Sequence, residues 1–491
     1  MCLLPYNDAS PESIETFAKG LIGKTFKQIL LESKDKDYVV VDSNINYDSA
    51  SMKGNLGNLL EEKYFGYKAN SDQEADFPKC GVELKATCFE TKKNGKLSAG
   101  ERLVLTMISY EEEVEEDFYK SHVWDKCRLI LLIYYERNKA LQSNLLYKIH
   151  FANLISPAKN DLPIIIDDYN KIIGKIKNGK AETISESDTL YLGACTKGAT
   201  SAKSLRPQFY GDHSLAPKRA FCFKRQYMDY ILNTYIIPDK TTYEPLIQDI
   251  SELENKSFED IIVDRIAKYY GTSDEELCSI FDREYNNNKA QWVDLTYRML
   301  GIKGNHAEEF QKANIVVKVI RFEEDFSMNE SISLPPFKFM DLVEETWEES
   351  EVYNYFSETK FFFVVFKRSG ERYYLYKCKF WNMPYLDFHD VQMGWLKIQH
   401  RIKNGVEFDI KTLSSGKVVV SNNLPKKKDN RIIHIRPHAT KGAYLIRHVF
   451  EPDFELGNIE RDANMLPQLD YMTTQSFWIN NDYIVDEIMK D

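Results

Sequence analysis

The chain has 491 residues, of which 43% are hydrophobic and 28% are charged, and this composition excludes a disordered or fibrous protein. At roughly 100 to 200 residues per domain, the length predicts two to four globular domains. The formal net charge of −11 argues at face value against nucleic-acid binding, because phosphate contacts depend on Lys and Arg.

The predicted elements begin with a helix near the N-terminus. Ser10 is its expected N-cap, and apolar residues at helical spacing follow at positions 14–21. Apolar residues within positions 56–64 predict another helix. Two apolar runs, residues 129–135 and 361–366, predict buried central strands. Each half of the chain is therefore predicted to be mixed α/β.

Residues 81–87 (Gly-Val-Glu-Leu-Lys-Ala-Thr) alternate between apolar and polar side chains, which predicts a strand with Glu83 and Lys85 on one face. Asp76 comes from the turn before this strand. Two carboxylates that meet across a turn offer the oxygen ligands that Mg²⁺ prefers. An ammonium beside them can hold an attacking water and offset charge on a phosphate. The pattern favours phosphodiester hydrolysis, although on its own it also arises by chance in charged chains.

The cysteines and the apolar runs define the expected compartment. The eight cysteines include no Cys-x-x-Cys pair and no visible zinc ligand set. No apolar run is long enough to span a bilayer, and the first one is too short for a signal peptide. We therefore expect a cytoplasmic protein without a membrane partner.

Basic residues are concentrated in two segments despite the negative net charge. Residues 197–226 contain seven Lys and Arg and one Asp, and residues 425–450 contain the same numbers. A single basic run is more commonly a solvated surface, but two runs at matching places favour DNA contact. The candidate DNA-binding residues within them are Lys197, Lys203, Arg206, Lys224, Arg225, Arg436 and Lys441.

The matching places come from a diverged internal repeat. Three pairs of segments recur in the same order: residues 23–30 with 255–262, 74–85 with 307–318, and 196–199 with 440–443. Between the first two pairs the spacing is nearly equal, with 50 positions from Phe26 to Asp76 (76 − 26) and 51 from Phe258 to Glu309 (309 − 258). The repeat predicts one domain at residues 1–236, a linker at 237–246 and a second domain at 247–491.

Further segments of the first half add to the pattern around Asp76. They are residues 53–61 (Lys-Gly-Asn-Leu-Gly-Asn-Leu-Leu-Glu), Gly66, residues 76–78 (Asp-Phe-Pro), residues 81–85, residues 121–123 (Ser-His-Val) with Lys126 and Arg128, Tyr191 with Lys197, and residues 221–227. Together and in this order they resemble the active-site region of the MutH family of DNA nicking endonucleases. The resemblance covers most of the first half and, more weakly, the second. It implies a tandem pair of PD-(D/E)XK domains, each a central mixed sheet flanked by helices.

The resemblance also implies catalytic roles by position. Asp76 and Glu83 would bind a divalent metal, and Glu61 would add a carboxylate from a helix. Lys85 would serve the attacking water, and Lys126 would support the site.

The same resemblance implies contacts with DNA. Lys53 and Gly54 match residues that approach the DNA, and Lys197 matches a lysine of the loop that reads it. Cys222 stands where the single-domain enzymes have a tyrosine involved in base reading, so the base contacts differ at that position.

The second half departs from the catalytic pattern. On the alignment of the two halves, Glu309, Val316 and Lys318 stand opposite Asp76, Glu83 and Lys85, and Thr296 lies near the position of Glu61. A valine cannot bind metal, yet the basic segment is retained. We therefore expect residues 247–491 to bind DNA without cutting it and to act as an allosteric effector domain, with a purely structural scaffold as the alternative.

Two-domain members of the resembled family are type II restriction endonucleases that cut GATC. We accordingly expect hydrolysis of double-stranded DNA at GATC with Mg²⁺, a homodimer on DNA, and a cognate DNA methyltransferase in the same system. The alternatives are a mismatch-repair-type enzyme that nicks GATC and a catalytically silent DNA-binding regulator.

Overall fold

A computed structural model describes residues 4–40, 46–48, 54–69, 74–92, 95–138, 140–197, 204–237, 243–286, 288–447 and 452–490 of the chain. The chain forms two compact units. Unit 1 comprises Met1–Ile262 and Gly301–Ile315, and unit 2 comprises Val263–Leu300 and Val316–Asp491. Two of the predicted DNA-binding residues, Lys53 and Lys203, lie outside the described residues.

In chain order the helices are α1 (Pro11–Ala18), α2 (Phe26–Glu32), α3 (Asn55–Leu60), α4 (His122–Cys127), α5 (Leu162–Lys177), α6 (Arg225–Tyr230), α7 (Phe258–Ala267), α8 (Asp274–Ile280), α9 (Lys289–Met299), α10 (Glu308–Ala313), α11 (Phe339–Glu344), α12 (Glu351–Glu358), α13 (Phe388–Lys403), α14 (Ile459–Asp462) and α15 (Asn481–Met489). Helices α3 and α6 continue as short π-helices at Glu61–Phe65 and Ile231–Ile236.

The strands are β1 (Glu83–Thr91), β2 (Leu97–Ala99), β3 (Leu103–Met107), β4 (Ile130–Glu136), β5 (Lys148–Ile155), β6 (Leu192–Thr196), β7 (Leu205–Pro207), β8 (Leu215–Pro217), β9 (Arg219–Phe223), β10 (Ile315–Phe322), β11 (Ile332–Phe337), β12 (Lys360–Ser369), β13 (Arg372–Trp381), β14 (Phe408–Thr412), β15 (Val418–Asn422), β16 (Ile433–Pro437), β17 (Tyr444–Ile446), β18 (Phe454–Leu456), β19 (Ala463–Met465), β20 (Tyr471–Thr473) and β21 (Gln475–Ile479).

The main sheet of unit 1 has the strand order β2-β1-β4-β5. Strand β1 is parallel to β4 and antiparallel to β2, and β5 is antiparallel to β4. The predicted strand at 129–135 is confirmed as β4, whose first five residues are buried. Glu83 and Lys85 lie on one face of β1 as predicted, but burial does not alternate along the strand, since Glu83, Leu84 and residues 87–89 are all buried. Strand β1 lies inside the sheet, where both faces are covered.

The N-terminal helices of unit 1 follow the predicted signals. The Ser10 side chain accepts a hydrogen bond from the N–H of Ser13, so its predicted N-cap role is confirmed. The helix predicted within positions 56–64 is confirmed as α3 and its π-helical continuation. Apolar residues of α1, α2 and α3 pack with Leu84 and Leu131 of the main sheet in one core. This core holds the starts of β1 and β4 in place.

A second sheet of unit 1, with order β3-β9-β6, leads to the basic segment at 197–226. Asp168 of α5 is fully buried, and its carboxylate accepts hydrogen bonds from the N–H groups of Leu190, Tyr191 and Leu192 at 2.7, 2.6 and 2.9 Å. Strand β6 therefore begins at a fixed point and ends one residue before Lys197.

Unit 2 is also mixed α/β. Its sheets include the orders β10-β12-β13 and β11-β21-β16, and a further sheet has the order β18-β17-β20-β19. The predicted strand at 361–366 is confirmed as β12, which is buried from Lys360 to Phe366. In both β3-β9-β6 and β11-β21-β16 the strand that comes last in the sequence lies in the middle. In the sequence, helix α5 lies between β3 and β6, and helix α13 lies between β11 and β16. Both helices have 16 residues.

The two compact units differ from the predicted division at residues 237–246. Residues 238–242 of the predicted linker lie outside the described residues. The residues that follow belong to unit 1, because the N–H groups of Leu246 and Ile247 donate to the Glu309 carboxylate of α10 at 2.8 and 3.0 Å. Over the described ranges, no helix has the length and apolar content needed to cross a membrane.

Candidate active site

The turn before β1 brings Asp76 beside Glu83. The N–H of Gly81 donates to the carbonyl of Phe77 at 2.8 Å, and Gly81 has a φ of 70°, a left-handed conformation that disfavours residues with a Cβ. The chain can therefore reverse between Phe77 and β1. Asp76 Oδ2 accepts a hydrogen bond from the N–H of Leu84 at 2.8 Å, which holds this carboxylate against the start of β1.

Glu83 is only 2% exposed, and both of its carboxylate oxygens contact lysines. Lys85 Nζ lies 2.7 Å from Oε1, and Lys126 Nζ lies 3.1 Å from Oε2. Lys126 also donates to the carbonyl of Glu74 at 2.5 Å. It reaches Glu83 because α4 ends just before β4, and Ile130 of β4 is the partner of Glu83 in the parallel register. The predicted catalytic residues Glu83, Lys85 and Lys126 are thus in direct contact.

Glu61 is the first residue of the π-helix that continues α3, and π-helical turns are frequent at functional sites. Burial and the nearby Asp76 carboxylate raise the pKa of Glu61 to about 7. Burial and the Glu83 carboxylate raise the pKa of Asp76 to about 6. Lys85 lowers both pKa values but does not cancel these effects. The three carboxylates therefore lie close enough together to oppose one another's ionisation.

Tyr67 is a residue of this site that the sequence did not indicate. Its N–H donates to the carbonyl of Glu61 at 3.1 Å, and its ring packs edge-on against Phe77 with centroids 5.3 Å apart. Its hydroxyl oxygen is buried and has no hydrogen-bond partner among the residues that the structure describes. The only signal in the sequence is its position directly after Gly66, which carries no information about a hydroxyl.

The carboxylates have the chemistry that a hard divalent cation requires, since they are oxygen donors whose mutual repulsion a cation would relieve. Within the described ranges, no three His, Cys, Asp or Glu side chains form a group that could by itself hold a metal ion. Asp76, Glu83 and Glu61 are therefore neighbours and not a closed cage. Mg²⁺ fits such a site because it keeps several waters and binds through one or two carboxylates.

Comparison with known proteins places this geometry in a family. Residues 65–168, which contain Asp76, Glu83, Lys85 and Lys126, match the family described as DNA mismatch repair enzyme MutH. The chain is also 35% identical over 487 residues to the type II restriction enzyme Sau3AI of Staphylococcus aureus, with 91% of this chain and 95% of that enzyme covered. The chain belongs to the MutH-like type II restriction endonucleases. It is a site-specific deoxyribonuclease, and its fold is of the restriction-endonuclease type.

In this MutH-like endonuclease the predicted DNA-binding residues of unit 1 do not all reach the surface. Gly54, at the start of α3, and Arg225, at the start of α6, are exposed, and Lys197 and Arg206 are half-buried. Lys224 is only 2% exposed, and its ammonium donates to the carbonyl of Thr189 at 3.0 Å. Lys224 therefore does not present its charge to DNA in this structure, because its neighbours in β9 are core residues.

In unit 2 both predicted DNA-binding residues are exposed. Arg436 lies at the end of β16 with its guanidinium 4.7 Å from the ring centroid of Trp478, an arrangement that restrains the charged group without neutralising it. Lys441 follows in the segment between β16 and β17. The basic character of this segment is thus accessible to an anionic ligand.

The second-half counterparts of the catalytic residues have structural contacts instead. Glu309 accepts the two backbone hydrogen bonds described above, and Thr296 is buried and donates to the carbonyl of Trp292 at 3.0 Å. Val316 follows the first residue of β10, and burial lowers the pKa of the Lys318 ammonium in the same strand. These residues do not reproduce the cluster of Asp76, Glu83 and Glu61.

Proposed function

We propose that this endonuclease cuts both strands of double-stranded DNA at GATC, with Mg²⁺ as its cofactor, in the cytoplasm of a cell that also makes a cognate DNA methyltransferase. The observation that carries the proposal is the grouping of Asp76, Glu83 and Lys85 at the start of β1 in a chain of this family. The target sequence is the one that the family resemblance implies.

The proposed chemistry assigns a task to each side chain. Asp76, Glu83 and Glu61 would hold Mg²⁺, which supplies positive charge at the scissile phosphate when it is bound. Lys85 would hold the attacking water as an ammonium, or take a proton from it as a neutral amine, since it is the more accessible of the two lysines that contact Glu83. Lys126 would hold the Glu83 carboxylate in its orientation, because it contacts Oε2 from a buried position.

Cleavage of both strands requires two catalytic sites, and each chain supplies one. We infer that two copies meet on the DNA, where a twofold-symmetric site such as GATC favours a symmetric dimer. The exposed Gly54 and Arg225 and the half-buried Lys197 and Arg206 are the proposed contacts within unit 1 that the structure describes.

We further propose that the second half is a related domain that binds another GATC site and promotes cleavage by the first. The strand orders β3-β9-β6 and β11-β21-β16, each with a 16-residue helix between the same two strands, support the relation. The exposed Arg436 and Lys441 support DNA binding, and Val316 in place of a carboxylate supports the absence of cutting there.

A plasmid cleavage assay tests the main proposal. Supercoiled plasmid with one GATC site is incubated with Mg²⁺ and the wild-type enzyme, the Asp76→Ala variant, or a control variant of an exposed acidic residue, Glu113→Gln. We expect linear product from the wild type and the control and no product from Asp76→Ala or in EDTA. Sequencing the product ends should place them at GATC.

The same assay separates the alternatives. Open-circular product that is never converted to linear DNA would favour a nicking enzyme of the mismatch-repair type. Plasmid that stays supercoiled although the wild-type protein binds it would favour a catalytically silent regulator.

The effector proposal needs a second substrate. A short GATC duplex added in trans should accelerate cleavage of the single-site plasmid, whereas a duplex with a scrambled site should not. The double variant Arg436→Ala, Lys441→Ala should lose this stimulation and keep the unstimulated rate. Equal cleavage rates with the GATC duplex and the scrambled duplex would contradict the effector role and would favour the structural scaffold.

A further inference from the structure

The backbone and the ring of Tyr67 contact the two segments that carry Glu61 and Asp76, carboxylates assigned to the active site. Its backbone N–H is bonded to the Glu61 carbonyl, and its ring contacts Phe77, the residue after Asp76. Because its backbone N–H and its ring both contact neighbouring residues, Tyr67 cannot rotate into solvent without losing the contact with Phe77. The ring is therefore fixed beside the segment that carries Asp76, and the charges of Asp76 and Glu61 both act on its hydroxyl.

A buried hydroxyl without a partner is unusual, because an unpaired polar group in the interior is destabilising. Other tyrosines of the same core have partners. Tyr6 donates to the carbonyl of Phe65 at 2.8 Å, and Tyr64 donates to the carbonyl of Phe17 at 2.7 Å. The Tyr67 hydroxyl has none among the described residues.

The surroundings of Tyr67 show what kind of partner fits it. Burial and the charges of Asp76, Glu61 and Glu83 raise the pKa of the Tyr67 hydroxyl, so it remains protonated and can act only as a donor toward them. A donor among negative charges is suited to a carboxylate oxygen or to a water that a hydrated cation retains.

We propose that Tyr67 is a positioning residue of the active site whose hydroxyl donates a hydrogen bond to the Glu61 carboxylate, or to a water held by it, when Mg²⁺ binds. This inference rests on the proposed function. The hydroxyl orients a ligand that would otherwise turn away from its negatively charged neighbours, in the way that outer hydrogen bonds orient other metal ligands.

The test measures Mg²⁺ binding by isothermal titration calorimetry without DNA, on the full-length protein, from pH 6 to pH 8.5. Tyr67→Phe removes only the hydroxyl and keeps the ring on Phe77. Tyr110→Phe is the matched control, because its hydroxyl is also buried without a partner in the described part of the chain but lies beside Arg219 and not beside carboxylates. Asp76→Asn serves as the variant that should not bind Mg²⁺ at this site.

We expect Tyr67→Phe to weaken Mg²⁺ binding about five-fold, which corresponds to about 1 kcal/mol for one hydrogen bond, and Tyr110→Phe to bind like the wild type. The loss of affinity should be the same fold-change from pH 6 to pH 8.5, because the hydroxyl has no partner among the described residues of the metal-free protein and stays protonated over this range. The melting temperature of metal-free Tyr67→Phe should not fall below that of the wild type, since the lost hydroxyl had no partner.

Three outcomes would overturn the proposal. Unchanged Mg²⁺ affinity in Tyr67→Phe, with binding abolished in Asp76→Asn, would remove the role of Tyr67 and leave the proposed function intact. An equal loss of affinity in Tyr67→Phe and Tyr110→Phe would show a general effect of buried hydroxyls. Failure of the wild type itself to bind Mg²⁺ would overturn both this inference and the proposed cofactor.

Discussion

Replacing Asp76 with asparagine is expected to stabilise the metal-free enzyme while abolishing cleavage. The pKa of Asp76 is raised from 3.8 to about 6 by burial and by Glu83. A carboxyl group whose pKa is higher in the folded state binds protons more tightly there, so its contribution to stability falls as the pH rises from about 4 to about 6 and stays low above that. Asparagine has no charge to repel.

The magnitude follows from the pKa. A rise from 3.8 to about 6 corresponds to roughly 3 kcal/mol at neutral and higher pH, since one pKa unit is about 1.4 kcal/mol. This value already includes the attraction of Lys85 and Lys126, and asparagine can still accept the hydrogen bond from the N–H of Leu84. We therefore expect a net gain of about 1 to 3 kcal/mol at pH 8 and little gain near pH 4.

Differential scanning calorimetry in EDTA from pH 4 to pH 9 measures this effect. At roughly 2 to 4 °C per kcal/mol for a unit of this size, Asp76→Asn should raise the melting temperature of unit 1 by several degrees at pH 8. The surface variant Glu113→Gln is the control. Added Mg²⁺ should reduce the difference in melting temperature between Asp76→Asn and the wild type, because it stabilises only the wild type. The reasoning fails if Asp76→Asn melts below the wild type at pH 8, or if its gain is the same at every pH.

Three further changes test other contacts of unit 1. Lys126→Met should destabilise the metal-free protein by roughly 3 kcal/mol in urea titrations, because it removes the cation beside the buried Glu83 carboxylate. A variant as stable as the wild type would contradict a stabilising ion pair between Lys126 and Glu83. Gly81→Ala should lower both the melting temperature and the cleavage rate, because Gly81 has a φ of 70° and a Cβ there would lie 2.4 Å from Arg128 Nη2. A wild-type melting temperature and cleavage rate would show that the turn tolerates a side chain. Lys312→Met should lower the free energy of unfolding by about 3 to 5 kcal/mol, because Lys312 is 2% exposed and its Nζ lies 2.6 Å from the buried Asp161 carboxylate. Adding Asp161→Asn to this variant should restore part of the lost stability. Losses that simply add in the double variant would exclude coupling between the two residues.

Local signals in the sequence predicted the elements that carry the site. The N-cap Ser10, strand β4 and the pairing of Glu83 with Lys85 on one face of β1 all follow from side chains close together in the chain. The family resemblance implied only that Lys126 supports the site; its contact with Glu83 was not predicted, because it depends on the parallel register of β1 with β4.

Features that depend on distant packing were not predicted. Lys224 carries the same charge as its neighbour Arg225, and only the packing of β9 shows that Lys224 is buried while Arg225 is exposed. The membership of residues 301–315 in unit 1 follows from contacts of Glu309 and Lys312 with residues 62 or more positions away. No periodicity or local motif carries that information.

The raised pKa values also bear on the difference between the two halves. In unit 1 the folded chain opposes ionisation of Asp76 and Glu61, so the arrangement that would bind Mg²⁺ destabilises the metal-free protein. In the proposed alignment of the two halves, Val316 of β10 corresponds to Glu83 of β1. A valine at this position removes one negative charge from such a cluster and is well suited to a strand. Once a domain is no longer required to cut, stability alone favours this replacement. The loss of a carboxylate in the second half is therefore consistent with a domain kept for its fold and its basic surface, and it predicts that cleavage by the whole chain depends on unit 1 alone.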